Sequence, residues 1–357
     1  MPSILLILPY FGCFPNYFDL WLQSCKNNSS INWLIFTDND TTVFSEKSNI
    51  TFINLTFVDF CKLFENYFDF QIVLNTAYKL CDYRPFYGMV LNEFVKNYDF
   101  WGYCDCDLIF GDIRKFATDE ILSKCDKFLG HGHFSLQRTN DPEYSEIIKQ
   151  TFVKGKYDYK YVYSHQEGFA FDEYDHLGVS YSYLRYRSDR FYSGYSSNDS
   201  LYKVTNILYP DSTEKYHVTT NLRIERIYDD IYTDITHFRD IKDTKDTKKN
   251  ILYSYNNGVL NRVISEKSKI IYEEILYLHL MKRKMSVHTD NIDMYYIIPN
   301  KFVPYNENPT LDYMLKYGGK RIIDIRRIKN DYLRARTFLK IGTRLRIFKN
   351  IITNLFG

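Results

Sequence analysis

The chain has 357 residues, 45% of them hydrophobic and 18% aromatic, which excludes global disorder and supports one large domain or a main domain with a smaller C-terminal lobe. A net charge of only +2 argues against a dedicated nucleic-acid binder. Seven cysteines, an odd count without Cys-x-x-Cys spacing, make a poor disulfide framework and read as thiols of a reduced compartment.

The first predicted element is a continuous apolar run over residues 4–8, as an interior parallel strand requires. Pro9, Tyr10, Phe11 and Gly12 break it, and a helix is expected over 17–25. Further strands are expected at 33–36, ending in Thr37-Asp38-Asn39-Asp40, and at 50–55. Helical segments near 58–68 and 85–95 precede a strand over 100–103. This alternation predicts an α/β protein with a mostly parallel, Rossmann-like central sheet and helices on both faces. Ligands of such sheets gather beyond the strand C-termini, where Tyr10, Asp38 and Asp105 all fall.

Asp112, after Gly111, is expected to cap a helix over 113–123, and residues 127–130 resume the sheet. The pattern loosens beyond residue 164, and 240–249 reads as a solvated loop. Strand-like patterning returns at 258–264 and 270–280. From 331 to 357 the local charge is +5, and interleaved Leu, Ile and Phe predict a basic amphipathic helix. Such a helix either rests on anionic lipid or packs on the domain with a wet basic face. No run approaches the roughly 20 apolar residues needed to span a bilayer. The run at 4–8 is too short and lacks a basic leader for export, so a cytoplasmic location is expected.

The chemistry centres on Asp105-Cys106-Asp107. Two carboxylates at a strand end suit a hard divalent cation, Mn²⁺ or Mg²⁺, that can carry a substrate's phosphates. The pattern alone is common; its place after three βα units and before a Gly turn gives it weight. Cys104 and Cys106 flank Asp105 on one side of the strand and read as packing rather than as a soft-metal site.

The segments Leu8-Pro9-Tyr10-Phe11-Gly12, Phe14-Pro15-Asn16-Tyr17-Phe18, Trp33-Leu34-Ile35-Phe36-Thr37-Asp38, Tyr78-Lys79-Leu80-Cys81-Asp82-Tyr83-Arg84-Pro85 and Tyr277-Leu278-His279-Leu280 complete the pattern. Together with the Asp105-x-Asp107 block, they resemble a largely uncharacterised family of bacterial proteins encoded with capsule and polysaccharide genes. That family is itself similar to divergent GT-A fold glycosyltransferases. The resemblance implies a GT-A-like fold with a nucleotide-sugar-binding half at 1–135, an acceptor-side part of the same catalytic domain at 136–300, and a C-terminal extension at 301–357.

It further implies a metal-dependent enzyme that moves a sugar from a nucleoside-diphosphate donor, UDP by default, to a cell-surface polysaccharide or lipid-linked glycan. Asp105, Asp107 and His279 would hold the metal. Tyr10, Asp38, Asp82, Arg84, Asp105, Lys282 and Lys284 would bind the donor. Asp82 and Arg84 are spaced Asp-x-Arg here, against the more usual Asp-x-x-Arg. Each has a plainer reading too: Asp38 as a turn former, Asp82 as a helix cap, His279 as a core histidine, and the two lysines as a solvated face. On the acceptor side, Asp172 and Glu173 offer a catalytic base should the enzyme be inverting. His131 and His133 follow the fifth strand and are placed near the acceptor cleft.

Rival readings fare worse. A haloacid-type phosphatase carries its Asp-x-Asp after the first core strand, and a pyrophosphorylase or P-loop protein needs a glycine-rich loop absent from Pro9–Gly12. A carbohydrate-binding scaffold protein would need no acidic metal site.

Overall fold

The computed structural model describes residues 1–44, 49–173, 177–192, 224–226, 252–266, 269–280, 285–298 and 301–306. Strand β1 (Ile4–Tyr10) lies between β2 (Asn32–Thr37) and β4 (Phe100–Cys104), with β3 (Ile50–Asn54) outside β2; all three pairings are parallel. The seven-stranded sheet continues with β7 (Phe134–Arg138), antiparallel to β4, then β6 (Lys127–His131) and β8 (Phe191–Tyr192). The mostly parallel, Rossmann-like α/β sheet expected from the alternation is therefore present.

Why β1 is apolar throughout follows from its position. Ile4, Leu6 and Leu8 pack with Trp21 and Cys25 of helix α1 (Phe18–Lys26) on one face. Leu5 and Ile7 pack with Phe60 and Phe64 of helix α2 (Phe57–Glu65) on the other. A strand covered on both sides has no solvent face to make polar. Thr56 starts α2 by accepting a hydrogen bond from the Asp59 amide.

Two expected helices come out broken. Residues 113–123 split into a 3₁₀ turn (Ile113–Lys115) and a helix (Asp119–Lys124), because buried Phe116 and Ala117 intervene and Thr118 caps the second piece. Asp112 caps the first through the amides of Arg114 and Lys115, as expected. The 85–95 segment, preceded by helix α3 (Leu80–Tyr83), is a chain of single turns. Pro85 opens it in the first turn of a 3₁₀ helix (Arg84–Phe86), and Gly88 presses its backbone onto the Trp101 ring.

The later strands build two further sheets. β5 (Leu108–Phe110) joins β9 (Ile224–Arg226) and β13 (Tyr277–His279) in a three-stranded sheet. The strands β10 (Leu252–Asn256), β11 (Val259–Glu266), β12 (Lys269–Glu274), β14 (Ser286–Val287), β15 (Met294–Ile298) and β16 (Lys301–Pro304) form a six-stranded sheet, antiparallel except for β14 with β16. Since β16 pairs with β15, the boundary expected at residue 300 cuts through a sheet and needs moving C-terminally. The expected basic helix at 331–357 lies outside the described residues. Among the described residues, no helix is long and apolar enough to cross a membrane.

At the start of β6, Lys127 is 1% exposed and donates to Ser135 Oγ at 3.0 Å. Burial pulls its ammonium down to about 7, against the opposing charges of Asp172 and Asp141. The unfolded chain, with an ordinary lysine, binds the proton more tightly, so this residue costs stability at low pH and less as pH rises above 7. Lys127→Met should therefore raise the melting temperature most near pH 6, the gain shrinking steadily towards pH 10. Melting curves displaced by the same amount at every pH would refute the assignment.

Candidate metal centre

β4 ends at Cys104, and the turn that follows it carries the acidic residues. Cys104 and Cys106 are buried in the core with Trp21 and Cys25, where they pack. The turn is fixed at its backbone: the Asp105 amide donates to the His133 carbonyl at 3.0 Å, and the Trp21 indole donates to the Asp105 carbonyl at 3.2 Å.

The third residue arrives from far along the chain. β13 runs antiparallel to β5 with His279 opposite Leu108 and Tyr277 opposite Phe110. Hydrogen bonds of 2.8 Å close both ends, Leu280 amide to Asp107 carbonyl and Gly111 amide to Leu276 carbonyl. This register leaves His279 Nε2 3.4 Å from Asp107 Oδ2. Ligand atoms of Asp105, Asp107 and His279 all lie within 4.8 Å of one another. Adjacent donors around a six-coordinate ion at about 2.1 Å are roughly 3 Å apart, so the cluster matches a small divalent cation after slight contraction. Two carboxylates and one imidazole are also the donor chemistry that Mn²⁺ and Mg²⁺ accept. The residues present fit the metal.

Arg84 ties this cluster to Asp172. Its guanidinium donates to Asp105 Oδ1 and the Gly132 carbonyl in close contacts, and to Asp172 Oδ2 at 3.0 Å. Burial disfavours its charge, but Asp105 and Asp172 outweigh that and hold it firmly protonated. Asp172, 2% exposed, is pushed above the usual carboxylate range by burial, which Glu173 reinforces and Arg84 opposes. Glu173 is half-buried beside it.

The other expected residues divide. Tyr10 stands beside the cluster: burial and the neighbouring Cys106 and Asp107 push its phenol up, and its hydroxyl donates to the Cys13 carbonyl at 3.1 Å. Asp38 is exposed and accepts from the Gly12 amide at 3.0 Å, joining the loops after β1 and β2. Asp82 is 1% exposed and fully engaged, by Lys79 Nζ at 2.8 Å and by the amides of Phe169 and Phe171 at 3.0 and 2.9 Å. It anchors the loop leading to Asp172 and presents no free oxygen to a donor; neither does it serve as the helix cap suggested by its place before Pro85. Lys282 and Lys284 lie outside the described residues.

His133 and Tyr277 enter the site more intimately than sequence suggested. The His133 ring stacks on His279 with centroids 4.2 Å apart and planes 24° apart, and His133 Nε2 is 2.8 Å from the Tyr277 hydroxyl.

The chain matches, over residues 6–306, the model of a family of unknown function, DUF6625, and belongs to that family. No curated protein matches the chain. Similar solved structures include the glycosyltransferase GlyE of Streptococcus pneumoniae, at 12% identity and TM-score 0.29. That likeness covers 54% of this chain and 44% of GlyE, so the chain spans less than half of that protein. Mouse xyloside xylosyltransferase 1 in its apo form matches at 10% identity and TM-score 0.34, covering 67% and 91%. The galactosyltransferase LgtC, in complex with donor and acceptor sugar analogs, matches at 11% and 0.30, covering 82% and 91%.

The β5–β13 junction offers a test that touches no ligand. A Cβ at Gly111 would lie 2.5 Å from the Ile275 carbonyl oxygen, a backbone atom with nowhere to go. Gly111→Ala should destabilise the protein by about 1–3 kcal/mol in urea titrations. It should also weaken Mn²⁺ binding in calorimetry by displacing β13. Wild-type Mn²⁺ affinity in this variant would show that the junction does not position the site.

Proposed function

We propose that the protein is a metal-dependent glycosyltransferase of the GT-A type, taking its sugar from a nucleoside diphosphate, by default UDP. Its acceptor is a polysaccharide or lipid-linked glycan of the cell envelope. One observation carries the reading: Asp105, Asp107 and His279, drawn from distant parts of the chain, converge beyond the C-terminal ends of β1 and β4. A parallel sheet offers its ligand crevice there.

When bound, a divalent cation at these three side chains would hold the diphosphate and take up its charge as the sugar departs. Tyr10 and Asp38, at the ends of β1 and β2, border the same crevice and suit the nucleoside portion of the donor. Arg84 keeps Asp105 oriented while its other nitrogen holds Asp172, so the donor and acceptor sides share one cation. Asp172 is committed to Arg84 and buried, which leaves half-exposed Glu173 as the carboxylate better placed to meet an acceptor hydroxyl.

Calorimetric titration with UDP, GDP and CMP, each with and without Mn²⁺, tests the reading on wild type and Asp107→Asn. The expected result is Mn²⁺-dependent binding of one nucleoside diphosphate, lost in the variant without loss of folding. Binding of none of the three by folded wild-type protein would overturn it in favour of a carbohydrate-binding role.

A further inference from the structure

We propose that His133 is a positioning residue of the metal centre, its ring setting the direction in which His279 presents Nε2; the inference rests on the metal reading above. A metal-binding histidine is normally held by its second nitrogen, which donates to a carboxylate or carbonyl and so fixes the plane of the ring. His279 lacks that hold: its Nδ1 is buried without a hydrogen-bond partner. What bears on the ring instead is His133, stacked nearly parallel at 4.2 Å.

For a stacked neighbour to act as a guide, it must itself be immobile, and His133 is. It is 5% exposed, and its Nε2 lies 2.8 Å from the hydroxyl of Tyr277. Tyr277 is buried, with Phe110 and Phe134 set against its ring at 69° and 67°. Tyr277 also precedes His279 by two residues on β13, so the two side chains leave the strand on the same side. The backbone of His133 contributes at the other end, where its carbonyl receives the Asp105 amide at 3.0 Å. One residue thus touches both halves of the ligand set, the Asp105 turn through its main chain and His279 through its ring.

The probe is Mn²⁺ alone, added to the full chain as wild type, His133→Ala, His133→Phe and His279→Ala, each shown to be folded by near-ultraviolet circular dichroism. Free Mn²⁺ measured by electron paramagnetic resonance gives the affinity. Nitrogen hyperfine coupling to the bound ion reports the histidine ligand directly, which a general loss of stability would not imitate. His133→Ala should weaken Mn²⁺ binding by about 10–100-fold and diminish the nitrogen coupling. His133→Phe keeps an aromatic ring against His279 but loses the Tyr277 contact, so it should retain clearly more affinity and coupling than His133→Ala.

Unchanged affinity and coupling in His133→Ala would overturn the inference while leaving the metal site standing, and so would equal losses in His133→Ala and His133→Phe. Wild-type protein without a nitrogen coupling that His279→Ala removes would overturn the metal reading itself, and the inference with it.

Discussion

The antiparallel pairing of β5 with β13 is the constraint on which the site depends. Two strands distant in the chain meet in one register, and a slip of a single residue would turn His279 to the opposite face. Burial sets that register. Leu278 and Leu280 pack with Ile109 in one apolar cluster, while Tyr277 packs with Phe110 in another. The alternation leaves His279 facing Asp107 because every neighbouring side chain has a core position to fill. A hydrophobic preference, non-directional in itself, is converted by the two-residue repeat of a strand into the aim of a polar atom.

The second organising group is Arg84. Two residues apart on the chain, Asp82 and Arg84 have different work. Asp82 spends its charge on Lys79 and on the amides of the 169–171 loop, which delivers Asp172. Arg84 then receives Asp172 on one nitrogen and Asp105 on another. Burial is what lifts the Asp172 carboxyl most; Glu173 adds to it, and the guanidinium shared with Asp105 opposes it without cancelling it.

Much of the first half was legible because its signals are local. The apolar run of β1, the alternation of strands with helices and the carboxylates after β4 all follow from residues adjacent in sequence. The broken helices were missed because what breaks them is tertiary: Phe116 and Ala117 are drawn into the core, and the ring of Trp101 occupies the space beside Gly88. The strand character of 258–264 and 270–280 was visible in the residue pattern. Their partners were not, since periodicity carries no information about which strand lies alongside. His279 was singled out only through a family resemblance. The stack beneath it was invisible for the same reason as the sheet, because His133 and His279 share no local pattern.

The distance along the chain between the carboxylates and His279 has a consequence for assembly. A chain made from its N-terminus can complete β1 to β5 and present Asp105 and Asp107 long before β13 exists, so the half-built cluster consists of carboxylates alone. Closure of the centre and docking of β13 are one event. On the metal reading proposed above, ion occupancy and attachment of the later strands would be linked equilibria, in which a cation that favours the closed arrangement also stabilises it. On that reading, the free cation concentration around the protein would set how firmly β13 is fastened to the strand that precedes it.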